Sequence, residues 1–332
     1  MARLRFGVIG VGGRGIHNAR AVAARPDVDL VGVCDIRPDR LELCAKEEIS
    51  SRGFSDYHKL LDEGLDAVCI NTDNNVHAEM TLAAAARGCH IYCEKPIATS
   101  VADAEAMVRA CKEKNLATVV NLSMRRGPAH AQLRDMIRKG VFGKLLAVGA
   151  THPKISGLMR NGGGHKASRD NATWGTLLLH DGVHISEWLR FMGGEVESVY
   201  ARTVTTADDP DNEELVSAVT THAGGVMGTL SYFTAPFMPQ RQYVVGTDAS
   251  GWPGRDAQGR ACIVVTRDGK EEKHVPVETP ALTGDAGAVD EFIRAIREGF
   301  TPYATMEDGL AGQRIVDAIR RSAREGRVIS LV

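Results

Sequence analysis

With 332 residues, 43% of them hydrophobic and 25% charged, the chain has the composition of a globular protein long enough for two cores, and not that of a disordered or fibrous one. A formal net charge of −2 gives no electrostatic reason to bind nucleic acid or an anionic membrane surface. The seven cysteines are scattered without a CxxC pair, which excludes a disulfide framework or zinc ribbon and points to a reducing, cytoplasmic compartment.

The chain starts Met-Ala-Arg-Leu-Arg-Phe-Gly-Val-Ile-Gly, an apolar run too short for a signal peptide, and no window approaches the roughly 20 apolar residues of a membrane span. Short β-branched runs then alternate with longer helical patterns. Strands are predicted at Arg5 to Gly10, Leu30 to Cys34, Ala67 to Asn71, His90 to Cys93 and Thr118 to Asn121. Amphipathic segments such as Val76 to Arg87 and Val101 to Lys114 separate them. This is the pattern of βαβ units around a parallel sheet, and it predicts a doubly wound Rossmann domain over residues 1–122.

Gly10, Gly12 and Gly15 form G-x-G-x-x-G between the first strand and a helix predicted over Gly13 to Ala24. The first glycine permits a tight turn, the second lets backbone approach a pyrophosphate, and the third allows helix to pack closely on strand. With Gly13 and Arg14 they place a helix N-terminus, with its unpaired N–H groups, against the phosphates. Asp35, 20 residues beyond Gly15, ends the second strand where a carboxylate accepts hydrogen bonds from the adenosine ribose. That carboxylate favours NAD over NADP by repelling a 2′-phosphate; the alternative is that Arg37 turns to hold such a phosphate.

Beyond Asn121 the texture changes, and a second domain is expected over residues 123–332, with its last helices free to pack back on the first. A helix at Pro128 to Lys139 leads to a strand at Leu145 to Thr151 and a glycine-rich loop at Asn161 to Gly164. Alternating segments at Val196 to Val204, Leu215 to Thr221, Gly225 to Phe233, Gln242 to Val245 and Ala261 to Thr266 predict an open, mainly antiparallel sheet with one covered face. Apolar residues at helical spacing predict closing helices over Ala288 to Glu298 and Glu307 to Glu325. The polar loop before the central helix carries His165, Lys166 and Arg169, which can bind an anionic group on a substrate or serve only as solvated surface. Asn121, Arg125 and Arg126 follow the last Rossmann strand, where an open α/β sheet presents its ligand crevice. Trp174, Trp188 and Trp252 can stack on a sugar face, although core packing is the commoner use.

The segment His90-Ile-Tyr-Cys-Glu94-Lys95-Pro96 resembles the signature of the Gfo/Idh/MocA oxidoreductase family. Asp66-Ala-Val-Cys-Ile-Asn71-Thr72, followed by His77-Ala-Glu-Met, is similar to the family's strand, loop and helix before that signature. Gly140-Val-Phe-Gly-Lys and the tail from Asp290-Glu-Phe to Ser322-Ala-Arg-Glu-Gly extend the likeness over nearly the whole chain. The resemblance implies a Rossmann domain followed by an α/β domain whose open sheet mediates a homodimer or homotetramer. It implies that Asn71, Thr72, His77, Glu94 and Lys95 lie about the cofactor, with a carbohydrate substrate between the domains and Lys95 near its hydroxyl.

Taking a hydride from an alcohol carbon also requires the hydroxyl proton to leave, so a proton acceptor must stand within hydrogen-bond reach. Lys95 and His184 are the candidates. The family's second motif resembles D-x-G-x-H on one helix, whereas this chain reads His180-Asp181-Gly182-Val183-His184. Gly182 and His184 match, and His180 stands in place of the aspartate. In an unbroken helix Asp181 does not replace it, because adjacent positions point roughly 100° apart. His180 and His184 also have metal-ligand spacing, but His152, His165 and Asp170 make no convincing third ligand, and no metal is expected. The leading reading is an NAD-dependent dehydrogenase acting on a ring hydroxyl of a sugar, glycoside or cyclic polyol. Its alternatives are an NAD-dependent glycosidase working by transient ring oxidation, in which His180 supplies a further base, and a non-catalytic sensor of dinucleotide or sugar.

Overall fold

The computed structural model describes residues 2–153, 171–205, 213–233 and 240–332. It divides into two compact units, the first comprising Met1–Leu122, Ala172–Trp174 and Leu282–Leu310, the second Ser123–Asn171, Gly175–Ala281 and Ala311–Val332.

In the first unit six strands run β1 (Leu4–Ile9), β2 (Val28–Cys34), β3 (Gly53–Phe54), β4 (Ala67–Ile70), β5 (His90–Cys93) and β6 (Thr118–Val120), and form a sheet in the order β3-β2-β1-β4-β5-β6. Every pairing is parallel. The order reverses direction at β1, the switch point beside which open α/β sheets generally take their ligands. Alternation of side chains sends Ala67 and Cys69 to one core and Val68 and Ile70 to the other, so strands covered on both faces read as continuous apolar runs.

Helices α1 (Gly15–Ala23), α2 (Pro38–Lys46), α3 (Tyr57–Leu61), α4 (His77–Ala86) and α5 (Val101–Glu113) connect the strands. Sequence patterning misses α2, α3 and β3, which are short and weakly periodic. Their signals are local: Pro38 begins α2, and the Asp56 carboxylate caps α3 by accepting the His58 N–H at 2.8 Å. A later helix, Gly284–Glu298, belongs to this unit, and its Phe292 ring meets Phe6 edge-on at 5.6 Å. All seven cysteines are buried and free. Burial pushes the Cys34 and Cys111 thiols up to about 12, so neither is a ready nucleophile.

The second unit opens with α6 (Ser123–Arg126) and α7 (Pro128–Arg138), continues through β7 (Leu145–Pro153) and α8 (Val183–Gly193), and contains a nine-stranded sheet. The strands after α8 are β8 (Val196–Val204), β9 (Leu215–His222), β10 (Met227–Phe233), β11 (Arg241–Gly246), β12 (Ser250–Arg255), β13 (Ala261–Arg267), β14 (Lys270–Pro276) and β15 (Ile329–Ser330). They lie in the order β14-β13-β12-β11-β7-β10-β9-β8-β15, antiparallel except that β7 and β10 are parallel. One face carries a core in which Trp188 and Leu189 of α8 meet Ile315 and Ile319 of the closing helix Met306–Glu325. Trp188 is thereby core, 1% exposed. The other face is open. One row across five strands reads Tyr200, Val219, Thr229, Gly149 and Tyr243, and Tyr200, Val219 and Tyr243 are exposed.

No described helix is long and apolar enough to cross a membrane.

Candidate functional site

The glycine turn after β1 has the shape its sequence predicts. Gly10 takes φ +79°, where a Cβ would come within 2.7 Å of the Asn71 carbonyl oxygen, and a Cβ on Gly15 would collide with the Gly10 carbonyl. Those two positions accept only glycine. Gly12 and Gly13 are different, because nothing lies within 4 Å of a Cβ at either place. Their bare backbone faces open space beside the start of α1, as close approach of a pyrophosphate requires. The helix itself begins at Gly15, two residues later than predicted, so Arg14 precedes it; the Arg14 guanidinium donates to Asp285 at 3.0 Å.

Asp35 sits half-buried at the end of β2 and does two jobs at once. Its Oδ2 accepts the Val11 N–H and its Oδ1 the Arg37 N–H, each at 2.9 Å, so the carboxylate holds the glycine turn in place while keeping lone pairs for a ribose. The Arg37 side chain turns to Asp39, donating to both of its oxygens at 3.1 and 2.7 Å. The residues fit a dinucleotide: a cradle without side chains, a helix N-terminus and a carboxylate at the end of the second strand.

The carboxyl ends of β4, β5 and β6 bring Asn71, Thr72, Glu94, Lys95 and Asn121 to the same rim of the first unit. Glu94 is buried, and its Oε1 accepts Asn121 Nδ2 at 2.6 Å and Asn18 Nδ2 at 3.4 Å. Asn18 Nδ2 also reaches Asn71 Oδ1 at 2.5 Å, and the Tyr92 hydroxyl lies 3.4 Å from Asn18 Oδ1. Sequence reasoning misses Asn18; its only signal is a polar residue inside the apolar stripe of α1. The buried Asn71 Nδ2 has no hydrogen-bond partner among the described residues. Lys95 is half-buried at the turn, its N–H 3.4 Å from Glu94 Oε2, and the Lys95–Pro96 peptide is cis.

Two predicted ligand residues are turned to structural use. His77 is 0% exposed, with ring nitrogens beside the carbonyl oxygens of Pro96 and Thr72, so it has no surface to offer a cofactor. Arg125 is buried in the second unit, where its guanidinium donates to Glu187 and lies 5.0 Å over the Phe191 ring. Both corrections share one cause: sequence shows the residue type and the rim position, while packing decides which way the side chain faces.

The second unit holds the histidine pair. Residues Leu178–Gly182 form a π-helical turn, and the α-helix proper starts at Val183. The premise of an unbroken helix is therefore corrected, since a π turn changes the angular relation of His180, Asp181 and His184. Asp181 is buried with its Oδ1 4.0 Å from His180 Nε2, so a carboxylate does stand beside the imidazole. His180 and His184 are half-buried, and Arg126 is half-buried at the end of α6. His152 stacks on Tyr232 with ring centroids 6.5 Å apart. Among the described residues no three metal-ligating side chains converge. His165, Lys166, Arg169 and Asp170 lie outside the described residues, as does the loop Asn161 to Gly164.

The family model described as the oxidoreductase family with NAD-binding Rossmann fold, GFO_IDH_MocA, matches residues 4–122, and that of the GFO/IDH/MocA C-terminal domain matches residues 130–251. Among curated relatives, 1,5-anhydro-D-fructose reductase of Ensifer adhaerens is 29% identical over 309 residues, 91% of each chain. Inositol 2-dehydrogenase of Salmonella typhimurium is 27% identical over 336 residues, covering 97% of this chain and 95% of its own. Among solved structures, the WlbA dehydrogenase from Bordetella pertussis in complex with NADH and UDP-GlcNAcA is 25% identical, with a TM-score of 0.82 over 99% of both chains.

Proposed function

Because the chain belongs to the Gfo/Idh/MocA oxidoreductase family, we propose that it transfers a hydride between NAD and a secondary ring hydroxyl of a sugar, glycoside or cyclic polyol. The observation that carries this reading is the open backbone at Gly12 and Gly13 beside a carboxylate at Asp35. The names of the sugar and inositol enzymes that the chain resembles from end to end support the substrate class. Asp35, with Arg37 turned to Asp39, favours NAD over NADP.

The nicotinamide, when bound, supplies the hydride acceptor or donor. This chain's own task is then the proton. Lys95 holds or accepts the hydroxyl proton at its ε-amine, and His184 assists its exchange, with Asp181 supporting His180 beside it. Incubating the purified protein with NAD and a panel of inositols, free sugars and chromogenic glycosides tests the reading. NADH that forms in proportion to one carbohydrate supports the dehydrogenase. Aglycone released over many turnovers without net NADH establishes the glycosidase instead, and NAD binding without turnover of any carbohydrate in a broad panel favours the sensor.

The protein acts as a homo-oligomer through the open face of its nine-stranded sheet, in a cytoplasmic setting that keeps the seven thiols reduced. Tyr200, Val219, Met227 and Tyr243 expose apolar surface there, between 38% and 52% each, more than a solvated sheet face needs. Charging that face with Val219→Lys and Tyr243→Glu together is expected to shift the protein to monomer in sedimentation velocity with its melting temperature little changed. A wild type that sediments as a monomer overturns this part.

A further inference from the structure

Helix α4 begins with His77, and the proposed hydride chemistry makes no use of its ring. The side chain is completely buried, a costly place for an imidazole unless its polar atoms are satisfied. Nδ1 lies 2.9 Å from the Pro96 carbonyl oxygen and Nε2 lies 3.1 Å from the Thr72 carbonyl oxygen. Both neighbours are acceptors only. A neutral imidazole has one N–H, so the two carbonyls compete for it, and only the imidazolium donates to both. Burial is the largest influence and holds the ring's pKa below its ordinary value, against the two carbonyl contacts and the charge of Asp73, which raise it, so the neutral ring donates its one N–H to one carbonyl and packs against the other.

The identity of the two carbonyls gives the arrangement its meaning. Thr72 lies in the turn after β4, next to Asn71, and Pro96 lies in the turn after β5, next to Lys95. One ring thus stands between the two turns that form this rim, hydrogen-bonded to one and packed against the other. Simple space-filling would not bring both ring nitrogens within hydrogen-bond distance of backbone carbonyls on separate loops. We propose that His77 is a positioning residue for Lys95, holding the turn after β5 against the turn after β4 so that the ε-amine is fixed where the substrate hydroxyl is to lie. This rests on the role given to Lys95 above, and it replaces the expectation that His77 touches the cofactor.

The test compares wild type, His77→Gln, His77→Phe and Lys95→Met. Each is assayed with NAD and the carbohydrate that the wild type oxidises best among myo-inositol, levoglucosan and free hexoses. In parallel, wild type, His77→Gln and His77→Phe are acetylated with trace acetic anhydride, and Lys95 is compared with the surface Lys46 by peptide mass spectrometry. His77→Phe is expected to lower kcat by about tenfold to a hundredfold, since a displaced catalytic group loses rate steeply with distance. KM for NAD should stay near the wild-type value, acetylation of Lys95 should rise severalfold, and His77→Gln, which keeps an N–H donor, should recover part of both. Equal kcat and equal Lys95 labelling in both variants overturn the proposal, as does a loss confined to NAD affinity. Should the wild type oxidise none of the carbohydrates, the functional reading fails, yet the labelling ratio still decides whether His77 holds Lys95. Should His77→Phe not fold, His77→Gln against wild type carries the same comparison.

Discussion

Replacing Lys95 by methionine is expected to lower kcat by about 10²–10⁴-fold, roughly 3–5 kcal/mol of barrier, while NAD still binds. Methionine keeps the length and apolar stem of the side chain and removes the charge and the transferable proton. In the proposed site the cofactor cradle is formed by Gly10, Gly12, Gly15 and Asp35, and the bonds of the Asp35 carboxylate run to Val11 and Arg37. Binding followed by quenching of protein fluorescence on NADH titration should therefore match the wild type within a small factor. Loss of binding together with turnover would make Lys95 a cofactor-holding residue instead, and retention of full kcat would remove it from the chemistry. A rate that falls equally at every pH, with no partial recovery by an added small amine, would argue that the side chain contributes charge to the ground state more than proton transfer.

The parallel sheet was legible in the sequence because strands buried on both faces must be apolar throughout, as Ala67–Ile70 are, and because the glycine turn can be built only one way. The second sheet was legible where one face is solvated, as in β9, whose residues alternate in burial from end to end. Strands β12, Ser-Gly-Trp-Pro-Gly-Arg, and β14, Lys-Glu-Glu-Lys-His-Val-Pro, escape that reading. The first carries glycine and proline, and the second is an edge whose charges discourage further pairing and hide its period. The parallel pairing of β7 with β10 is a long-range choice that no local pattern encodes.

At the candidate site the sequence marks positions and not directions. Asp35 and Lys95 stand at strand ends where the topology makes a crevice, so their exposure follows from the fold. His77 and Arg125 also follow strands of the parallel sheet in sequence, and both are buried, for reasons that lie in neighbours distant along the chain. Asn18 joins Glu94 across 76 residues, and the π turn at Leu178–Gly182 depends on how α8 meets its core. Neither has a signature that a reader of one sequence can separate from ordinary helix.

Arg125 and Glu187 set the second large effect, on stability. Their side chains are 7% and 1% exposed, and Glu187 also lies 3.7 Å from Arg190, so one buried carboxylate answers two guanidinium groups. Glu187 belongs to α8, one turn beyond His184. Glu187→Ala takes the carboxylate from a guanidinium that is already desolvated, and breaking such a pair costs about 3–5 kcal/mol, a large share of the roughly 5–15 kcal/mol that holds a domain folded. Urea denaturation should show a lower midpoint with an unchanged slope. The pair itself need not be a net source of stability, since its own desolvation opposes the attraction. Arg125→Met with Glu187→Leu should accordingly recover most of the loss, the methionine keeping contact with the Phe191 ring that the guanidinium now covers. Recovery in the double variant would mean that the charges act chiefly by demanding each other. A double variant as unstable as Glu187→Ala would mean that the pair orients α8, and through it the turn carrying His180 and His184, in a way that apolar packing does not reproduce.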